Sequence, residues 1–190
     1  MASLGNDRRR PGKRGNRQRG HSLLELLVAL VIAAILLCGA LPAGRALLQR
    51  QQLRTTVADL HAALDTTRSL AIARGGVVVL APRAGGWEQG WTMFADRDGD
   101  GKPGPGDETI FEQGALADGI HIRMKFTGSA SQSYIAYNSA GRSCRADKSQ
   151  TARWGTLTVE AGPQQYLVRI NMLGRTRVCD PKKEGSACTG

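Results

Sequence analysis

The sequence predicts an α+β fold in which one long N-terminal helix packs on an antiparallel β-sheet domain. An apolar run from Leu26 to Leu41 is followed by apolar residues at three- and four-residue spacing, which is typical of a helix. After Gly76 the pattern changes to short aromatic and β-branched runs, separated by Gly, Pro, Asn, Asp and Ser. Several strands at such close spacing indicate antiparallel sheets.

The first half of the helix, residues 21–42, is predicted to cross a membrane. Leu23–Leu41 forms a stretch of 19 residues, close to the roughly 20 that span a bilayer. Glu25 interrupts it, and a charge at membrane depth costs about 2.5–3.5 kcal/mol on insertion scales, so this carboxylate needs a partner or a function. Pro42 and Gly44 predict a kink or a loosened turn where the span ends.

The second half of the helix, residues 43–76, is predicted to be amphipathic. Charged residues separate the apolar positions, and Gly75-Gly76 indicate the end of the helix after Arg74. Its apolar face needs a sheet to cover it. That face consists of Leu53, Val57, Leu60, Leu64 and Ala71.

Residues 77–190 are predicted to form the β-domain, with a polar, mobile loop at Ser139–Thr151. The predicted strands are Val77–Leu80, Trp91–Phe94, Thr109–Phe111, Ile120–Phe126, Tyr134–Tyr137, Thr156–Glu160, Tyr166–Ile170 and Arg175–Cys179.

The residues Arg19-Gly20-His21-Ser22-Leu23-Leu24-Glu25 resemble the class III signal of type IV prepilins and pseudopilins. The resemblance implies that a prepilin peptidase cuts after Gly20 and methylates the new N-terminus at His21, which departs from the usual Phe or Met. It also implies that Glu25 pairs with the N-terminus of a neighbouring pilin subunit during assembly. The fold implied is the type IV pilin fold.

Residues 1–20 are predicted to be a basic leader that is cleaved off. They hold seven Lys and Arg against one Asp, which leaves +4 of the chain's net charge of +10 for the residues from His21 onward. Most of the basic charge therefore acts as a cytoplasmic retention signal. The sequence predicts a single-pass protein of the inner membrane, with its N-terminus in the cytoplasm and its C-terminal domain in the periplasm.

Two further motifs are similar to those of the GspH/FimT family. The first is Trp87-Glu88-Gln89-Gly90-Trp91 with the acidic stretch that follows it, and the second is Gly174-Arg175-Thr176-Arg177. The resemblance implies a minor pseudopilin of type II secretion or a minor pilin of a type IV pilus. It also implies contact with double-stranded DNA, because some FimT-like members bind DNA during uptake.

The DNA-binding candidates are Arg175, Arg177, Lys182 and Lys183. Strand alternation places the two arginines on one face, where the set could hold phosphates without reading bases. The alternative is a purely structural pseudopilin, in which these arginines are solvated on an edge strand and prevent aggregation.

The acidic residues Asp96, Asp98, Asp100 and Asp107 fit the template of a calcium loop around Gly101, with Asp in place of the final Glu. Asp and Gly also form turns, and the flanking segments are predicted to be strands rather than helices. The sequence favours a β-hairpin turn without a cofactor, with calcium as the alternative.

Four cysteines suit an oxidising compartment. Cys38 lies in the predicted membrane span as an apolar residue. The favoured disulfide joins Cys179 to Cys188, and the alternative joins Cys144 to Cys179, since sequence does not decide connectivity.

The sequence does not predict an enzyme. His21, His61 and His121 are scattered and lack metal-ligand spacing. Ser139-Ala140-Gly141 does not fit a nucleophile elbow.

We predict a mature N-terminus at His21, because Gly20 supplies the small residue that the peptidase needs. Replacing Gly20 by a bulky residue should leave the precursor uncut in cells that contain the peptidase, as immunoblotting would show. A normal mature band from this variant would contradict the assignment.

Overall fold

The computed structural model of the chain describes residues 22–128 and 132–188, with side chains at all of these positions except 37–43, 186 and 187. The chain divides into two units between Ala43 and Gly44. The leader and the predicted cleavage site at Gly20 and His21 lie outside the described residues.

Helix α1 spans Leu23–Arg74 and continues through residue 42, where the sequence predicts a kink or a loosened turn. At its start, the Ser22 hydroxyl accepts a hydrogen bond from the Glu25 backbone N–H at 3.2 Å. Ser and Glu three residues apart have the spacing of a capping box, which satisfies N–H groups that the first turn leaves unpaired. This helix signal was not recognised in the sequence.

The predicted helix end is confirmed. Gly75 adopts φ 64°, and its N–H donates to the Ile72 carbonyl while that of Gly76 donates to the Ala71 carbonyl, both at 3.3 Å. The two hydrogen bonds form a Schellman motif, whose left-handed residue is normally glycine.

In the first unit, the large apolar side chains that the structure describes, from Leu23 to Leu36, are exposed. No helix among the described residues is long and apolar enough to cross a membrane. Part of the predicted span over 21–42 lies outside the described side chains, and the span stays a prediction.

The second unit contains two sheets in which all neighbouring strands are antiparallel. The five-stranded sheet has the order β3-β2-β1-β5-β6, and the four-stranded sheet has the order β4-β7-β8-β9. A short helix, α2, and a 3-10 turn end the described chain. The strands are β1 Val78–Arg83, β2 Gly86–Ala95, β3 Glu108–Glu112, β4 Ile120–Phe126, β5 Ile135–Tyr137, β6 Ser143–Cys144, β7 Gly155–Ala161, β8 Gln164–Ile170 and β9 Thr176–Cys179, and they are followed by α2 Pro181–Glu184 and the turn Gly185–Cys188.

The predicted apolar face of the helix is buried in the main core. Leu53, Leu60, Leu64 and Ala71 are fully buried and Val57 nearly so, together with apolar residues from both sheets. The α+β fold with a long helix packed on antiparallel sheets is therefore confirmed.

Polar contacts fasten the same helix to the β-domain. Arg74 forms two hydrogen bonds with Glu108 of β3, at 2.7 and 2.9 Å, and Arg68 donates to the Gly141 carbonyl at 2.9 Å. On the four-stranded sheet, the Thr176 hydroxyl donates to Asp65 at 2.7 Å.

Three predictions on the β-domain need correction. The segment Ser139–Thr151, predicted to be a mobile loop, contains β6, whose residues Ser143 and Cys144 are buried. Cys144 and Ala146 cover a second apolar cluster on the five-stranded sheet, around Phe94. Sequence reasoning missed this because the buried residues are small and stand among polar ones.

The other two corrections concern strand ends. Strands β1 and β2 reach Arg83 and Gly86, well beyond their predicted ends. The tight turn between them is possible because Gly85, in the turn, and Gly86, the first residue of β2, take positive φ values. At the C-terminal end, β9 begins at Thr176 rather than at Arg175.

Candidate functional site

The four-stranded sheet carries a row of basic side chains on one face. The strand register aligns one residue from each strand in a row across the sheet. In the order of the strands, these residues are Lys125 of β4, Thr156 of β7, Arg169 of β8 and Arg177 of β9. Side chains opposite each other on adjacent strands point to the same face of a sheet. Val168 and Ile170, on either side of Arg169 in the sequence, are buried in the main core. The row therefore lies on the face away from the helix.

A second row borders the first where the strands end, and it consists of Thr127, Trp154, Asn171 and Arg175. Backbone hydrogen bonds continue the strand pairing to these residues. The Thr127 N–H donates to the Trp154 carbonyl at 2.9 Å, and the Asn171 N–H donates to the Arg175 carbonyl at 3.1 Å. The two rows line an open groove of about 840 Å³, here called the basic groove. Its lining residues are Lys125, Phe126, Thr127, Trp154, Gly155, Thr156, Arg169, Ile170, Asn171, Arg175, Thr176 and Arg177.

Of the four predicted DNA-binding residues, the structure brings Arg175 and Arg177 together on the basic groove. Lys182 and Lys183 lie on helix α2, outside the lining. Lys125 and Arg169 belong to the groove and were missed from the sequence. No sequence signal marks them, because only the strand register brings residues that far apart in the chain into one row.

A disulfide holds the C-terminal segment against the four-stranded sheet. Cys179 is bonded to Cys188 with a Cα–Cα distance of 5.8 Å, the pairing that the sequence favours, and Cys144 is free and buried. Asp180 caps α2 by accepting from the Lys182 N–H at 3.0 Å, and Pro181 occupies its first turn.

This segment modifies two of the groove arginines. Arg169 donates to the Cys188 carbonyl at 2.9 Å, which orients its guanidinium without neutralising it. Arg177 forms an ion pair with Glu184 at 2.8 Å. Both partners are partly exposed, so the pair is weak and screened by salt. Its main effect is to place one negative charge beside the groove.

A buried arginine supports one wall of the groove. Arg153 is 3% exposed and donates to the backbone carbonyls of Thr127, Gln132 and Tyr134. Its guanidinium also lies over the rings of Phe126 and Tyr134, with 5.3 and 4.9 Å to the ring centroids. Burial lowers its pKa from the usual value for arginine. Carbonyl oxygens and ring faces thus compensate a buried cation, and they fix the end of β4.

The acidic loop between β2 and β3 uses its carboxylates as acceptors for its own backbone. Asp96 accepts from the N–H groups of Gly99 and Gly101 at 2.8 and 3.1 Å, and Asp107 accepts from those of Arg97 and Gly104, both at 2.9 Å. Carboxylate oxygens of Asp96, Asp98 and Asp107 lie within 4.8 Å of one another, and Asp100 is not part of that group.

Burial is the main cause of a raised pKa at Asp96, and the nearby Asp107 charge adds to it, while the hydrogen bonds from Gly99 and Gly101 oppose it. Gly101 takes φ 72°, and a Cβ there would collide with the Tyr134 ring. These are the features of a tight turn stabilised by carboxylates, which is the interpretation that the sequence favours.

The remaining candidates are dispersed. Glu25 is an exposed residue in the first turn of α1. His61 lies 3.5 Å from Asp65, and His121 lies 3.7 Å from Glu88. Burial and the Asp96 charge raise the pKa of the Cys144 thiol to about 12, so this cysteine is a packing residue and a poor nucleophile.

Family models match most of the chain. Residues 56–174 match the family described as type II transport protein GspH, and residues 15–41 match the prokaryotic N-terminal methylation motif. No curated protein matches the chain by sequence.

Solved structures share the fold. The type IV minor pilin FimU of Pseudomonas aeruginosa, in one crystal form, has a TM-score of 0.55 at 15% identity, covering 70% of this chain and 92% of FimU. A second crystal form of FimU has a TM-score of 0.52 at 14% identity, over 68% and 94%. The minor pseudopilin EpsH from the type 2 secretion system of Vibrio cholerae has a TM-score of 0.49 at 16% identity, over 68% and 98%.

A long N-terminal helix packed on antiparallel sheets, whose first half overlaps an N-terminal methylation motif at residues 15–41, is characteristic of minor pilins and pseudopilins. Within that class the chain belongs to the GspH family, whose model matches more than half of its length.

The turn interpretation of the acidic loop predicts that calcium does not stabilise the protein. The wild type and a variant with Asp98→Ala plus Asp100→Ala should each melt at the same temperature with calcium as with a chelator, as measured by differential scanning fluorimetry. A ligand that binds only the folded state raises the melting temperature. A calcium-dependent rise in the wild type, absent from the variant, would establish a metal site.

Proposed function

We propose that this protein is a minor subunit of a type IV pilus or of a type II secretion pseudopilus, and that it contacts DNA through the basic groove. Its incorporation would occur through helix α1. The GspH family match and the N-terminal methylation motif support the first part. The FimU structure, a type IV minor pilin with the same fold, supports it as well.

The proposal includes processing and anchoring. A prepilin peptidase would cut after Gly20 and methylate His21, and residues 21–42 would hold the subunit in the inner membrane until it enters the filament. The methylation motif covers this segment, and the exposed apolar side chains from Leu23 to Leu36 favour an apolar environment. The basic leader favours an N-terminus in the cytoplasm and a β-domain in the periplasm.

The basic row carries the DNA proposal. Strands lie about 4.8 Å apart, so Lys125, Arg169 and Arg177 cover about 14 Å across the four strands. Phosphates advance about 3.4 Å along the axis for each nucleotide of one strand, so a row of this length faces several of them. No Asp or Glu is among the described residues that line the groove. Such a site binds the backbone of DNA without reading its sequence.

The alternative function is a purely structural pseudopilin that starts or caps the pseudopilus without binding DNA. The ion pair between Arg177 and Glu184 favours it, because a protein without a DNA partner could also carry an exposed, internally paired arginine on the edge strand β9.

A substitution at Glu25 tests whether helix α1 mediates incorporation into the filament. If its carboxylate pairs with the N-terminal ammonium of a neighbouring subunit, Glu25→Ala should accumulate normally in the membrane but should be absent from sheared filaments on immunoblots. Asp59→Ala, which removes an exposed carboxylate from the same helix, serves as the matched control and should be incorporated normally. Equal incorporation of both variants would show that Glu25 is dispensable.

Substitution of Arg175 and Arg177 tests the DNA contact. Arg175→Gln plus Arg177→Gln should weaken binding to all duplex sequences, and it should flatten the dependence of log K on log salt by about one for each phosphate that is no longer neutralised. Glu184→Gln should act in the opposite direction and tighten binding, because it removes the carboxylate that pairs with Arg177. Fluorescence anisotropy with a labelled duplex at several salt concentrations measures both effects.

Arg83→Gln plus Arg97→Gln provides the control for charge alone, since both arginines are exposed and lie outside the groove. If the wild type binds neither duplex nor single-stranded DNA at low salt, or if the two double variants bind alike, the DNA role is wrong. The structural alternative would then stand.

A further inference from the structure

We propose that the basic groove selects single-stranded nucleic acid, with a base stacked on Trp154 and the neighbouring phosphates held by Arg175 and Lys125. The proposal rests on the DNA contact argued above and specifies the form of nucleic acid that this site prefers. It adds a residue that neither the basic motif nor the row of cations includes.

Trp154 differs from the other tryptophans of the chain in its exposure. It is 41% exposed, while Trp87 and Trp91 are 5% and 1% exposed in the core. An indole is a large apolar surface, and one that is left in water beside a cluster of cations is a candidate contact surface. Trp154 is therefore the tryptophan that is accessible to a ligand, whereas Trp87 and Trp91 are core residues.

The backbone fixes the position of this ring. The Trp154 N–H donates to the Thr127 hydroxyl at 3.1 Å, and its carbonyl accepts from the Thr127 N–H at 2.9 Å. Arg153, the residue before it, is buried and bonded to three carbonyls. The backbone around Trp154 is thus anchored, so stacking would require little ordering of the chain.

Gly155, the residue after Trp154, is required by the close approach of the two strands beside the ring. A Cβ at this position would collide with the Lys125 carbonyl and with the ring and Cα of Phe126. Glycine therefore allows β4 and β7 to approach each other next to Trp154. The groove that Trp154 and the basic row share has a volume of about 840 Å³, within the range of about 300–1,000 Å³ that is usual for ligand sites.

The cations differ in their availability. Within the described residues, the side chains of Arg175 and Lys125 form no hydrogen bond or ion pair, whereas Arg169 donates to the Cys188 carbonyl and Arg177 pairs with Glu184. The two unrestrained cations lie at opposite edges of the sheet, on β4 and next to β9. A chain of phosphates that crosses the strands would reach both of them and would pass Trp154.

An unpaired strand can use all of these groups, and a duplex cannot. The bases of a duplex are stacked on one another and paired, so it offers this face mainly phosphates. A single strand exposes base faces, and stacking on an aromatic side chain combined with a positively charged groove is the common mode of single-strand binding. Because every base has such a face, the site would tolerate any sequence.

The test uses the full chain in a nonionic detergent, which is needed because apolar residues of α1 are exposed. Fluorescence anisotropy compares an oligothymidylate of about 12 nucleotides, within the site sizes usual for single-strand binding, with a duplex and an abasic oligonucleotide of the same length. The wild type should bind the oligothymidylate more tightly than the duplex or the abasic chain. Trp154→Ala should weaken oligothymidylate binding about 5-fold or more and change abasic binding less than about 2-fold.

Two further variants keep the test decisive if Trp154→Ala fails to fold. Trp154→Phe retains a ring and should preserve most of the binding, and it should abolish quenching of tryptophan fluorescence by oligothymidylate, since the remaining tryptophans are buried. Phe111→Ala, at an exposed aromatic residue of β3, is the matched control and should bind like the wild type.

The outcomes separate the two proposals. Equal affinity for single strands and duplexes, or equal losses for oligothymidylate and abasic DNA in Trp154→Ala, would overturn stacking and leave the duplex contact intact. Absence of binding to every DNA by the wild type would overturn the DNA contact and the stacking together.

Discussion

Burial of one apolar face of α1 in a core shared with both sheets is the interaction on which the rest of the structure depends. Leu53, Leu60 and Leu64 are fully buried, and residues from both sheets pack around them. Truncating a buried leucine of this kind to alanine typically costs about 2–5 kcal/mol, which is a large part of the stability of a single domain. Because both sheets contribute to this one core, the helix sets the position of both.

That constraint determines where a functional surface can lie. The inner face of the four-stranded sheet is occupied by the main core, which leaves its outer face for contacts with other molecules. The outer face carries Lys125, Arg169 and Arg177 in register, and their alternate neighbours Val168 and Ile170 complete the core. The same alternation along each strand thus produces the core and the basic groove.

The sequence predicts the parts of the structure that depend on local pattern. The helix, its glycine stop at Gly75 and its buried face follow from periodicity and from the preference of glycine for positive φ. Strands with clear apolar alternation, such as β4 and β7, are also predicted within a residue or two. Strand β6 is not, because its burial comes from tertiary packing rather than from a pattern of large apolar residues. The candidate site is also predicted only in part. Arg175 and Arg177 are close together in one sequence motif and are predicted. Lys125, Trp154 and Arg169 are not, because only the hydrogen-bonded register of the strands brings them to one groove.

The C-terminal disulfide holds the segment that restrains two of the groove arginines. Helix α2 has four residues, none of them buried, so packing alone contributes little to holding it on the sheet. The bond between Cys179 and Cys188 supplies that constraint, and disulfides typically stabilise a protein by about 2–4 kcal/mol. Glu184 lies inside the closed loop, so the bond also keeps its carboxylate close to Arg177. With the loop closed, two of the four groove cations are restrained and two are not. The disulfide thus keeps Glu184 next to Arg177 and the Cys188 carbonyl next to Arg169, which leaves Lys125 and Arg175 as the unrestrained cations of the groove.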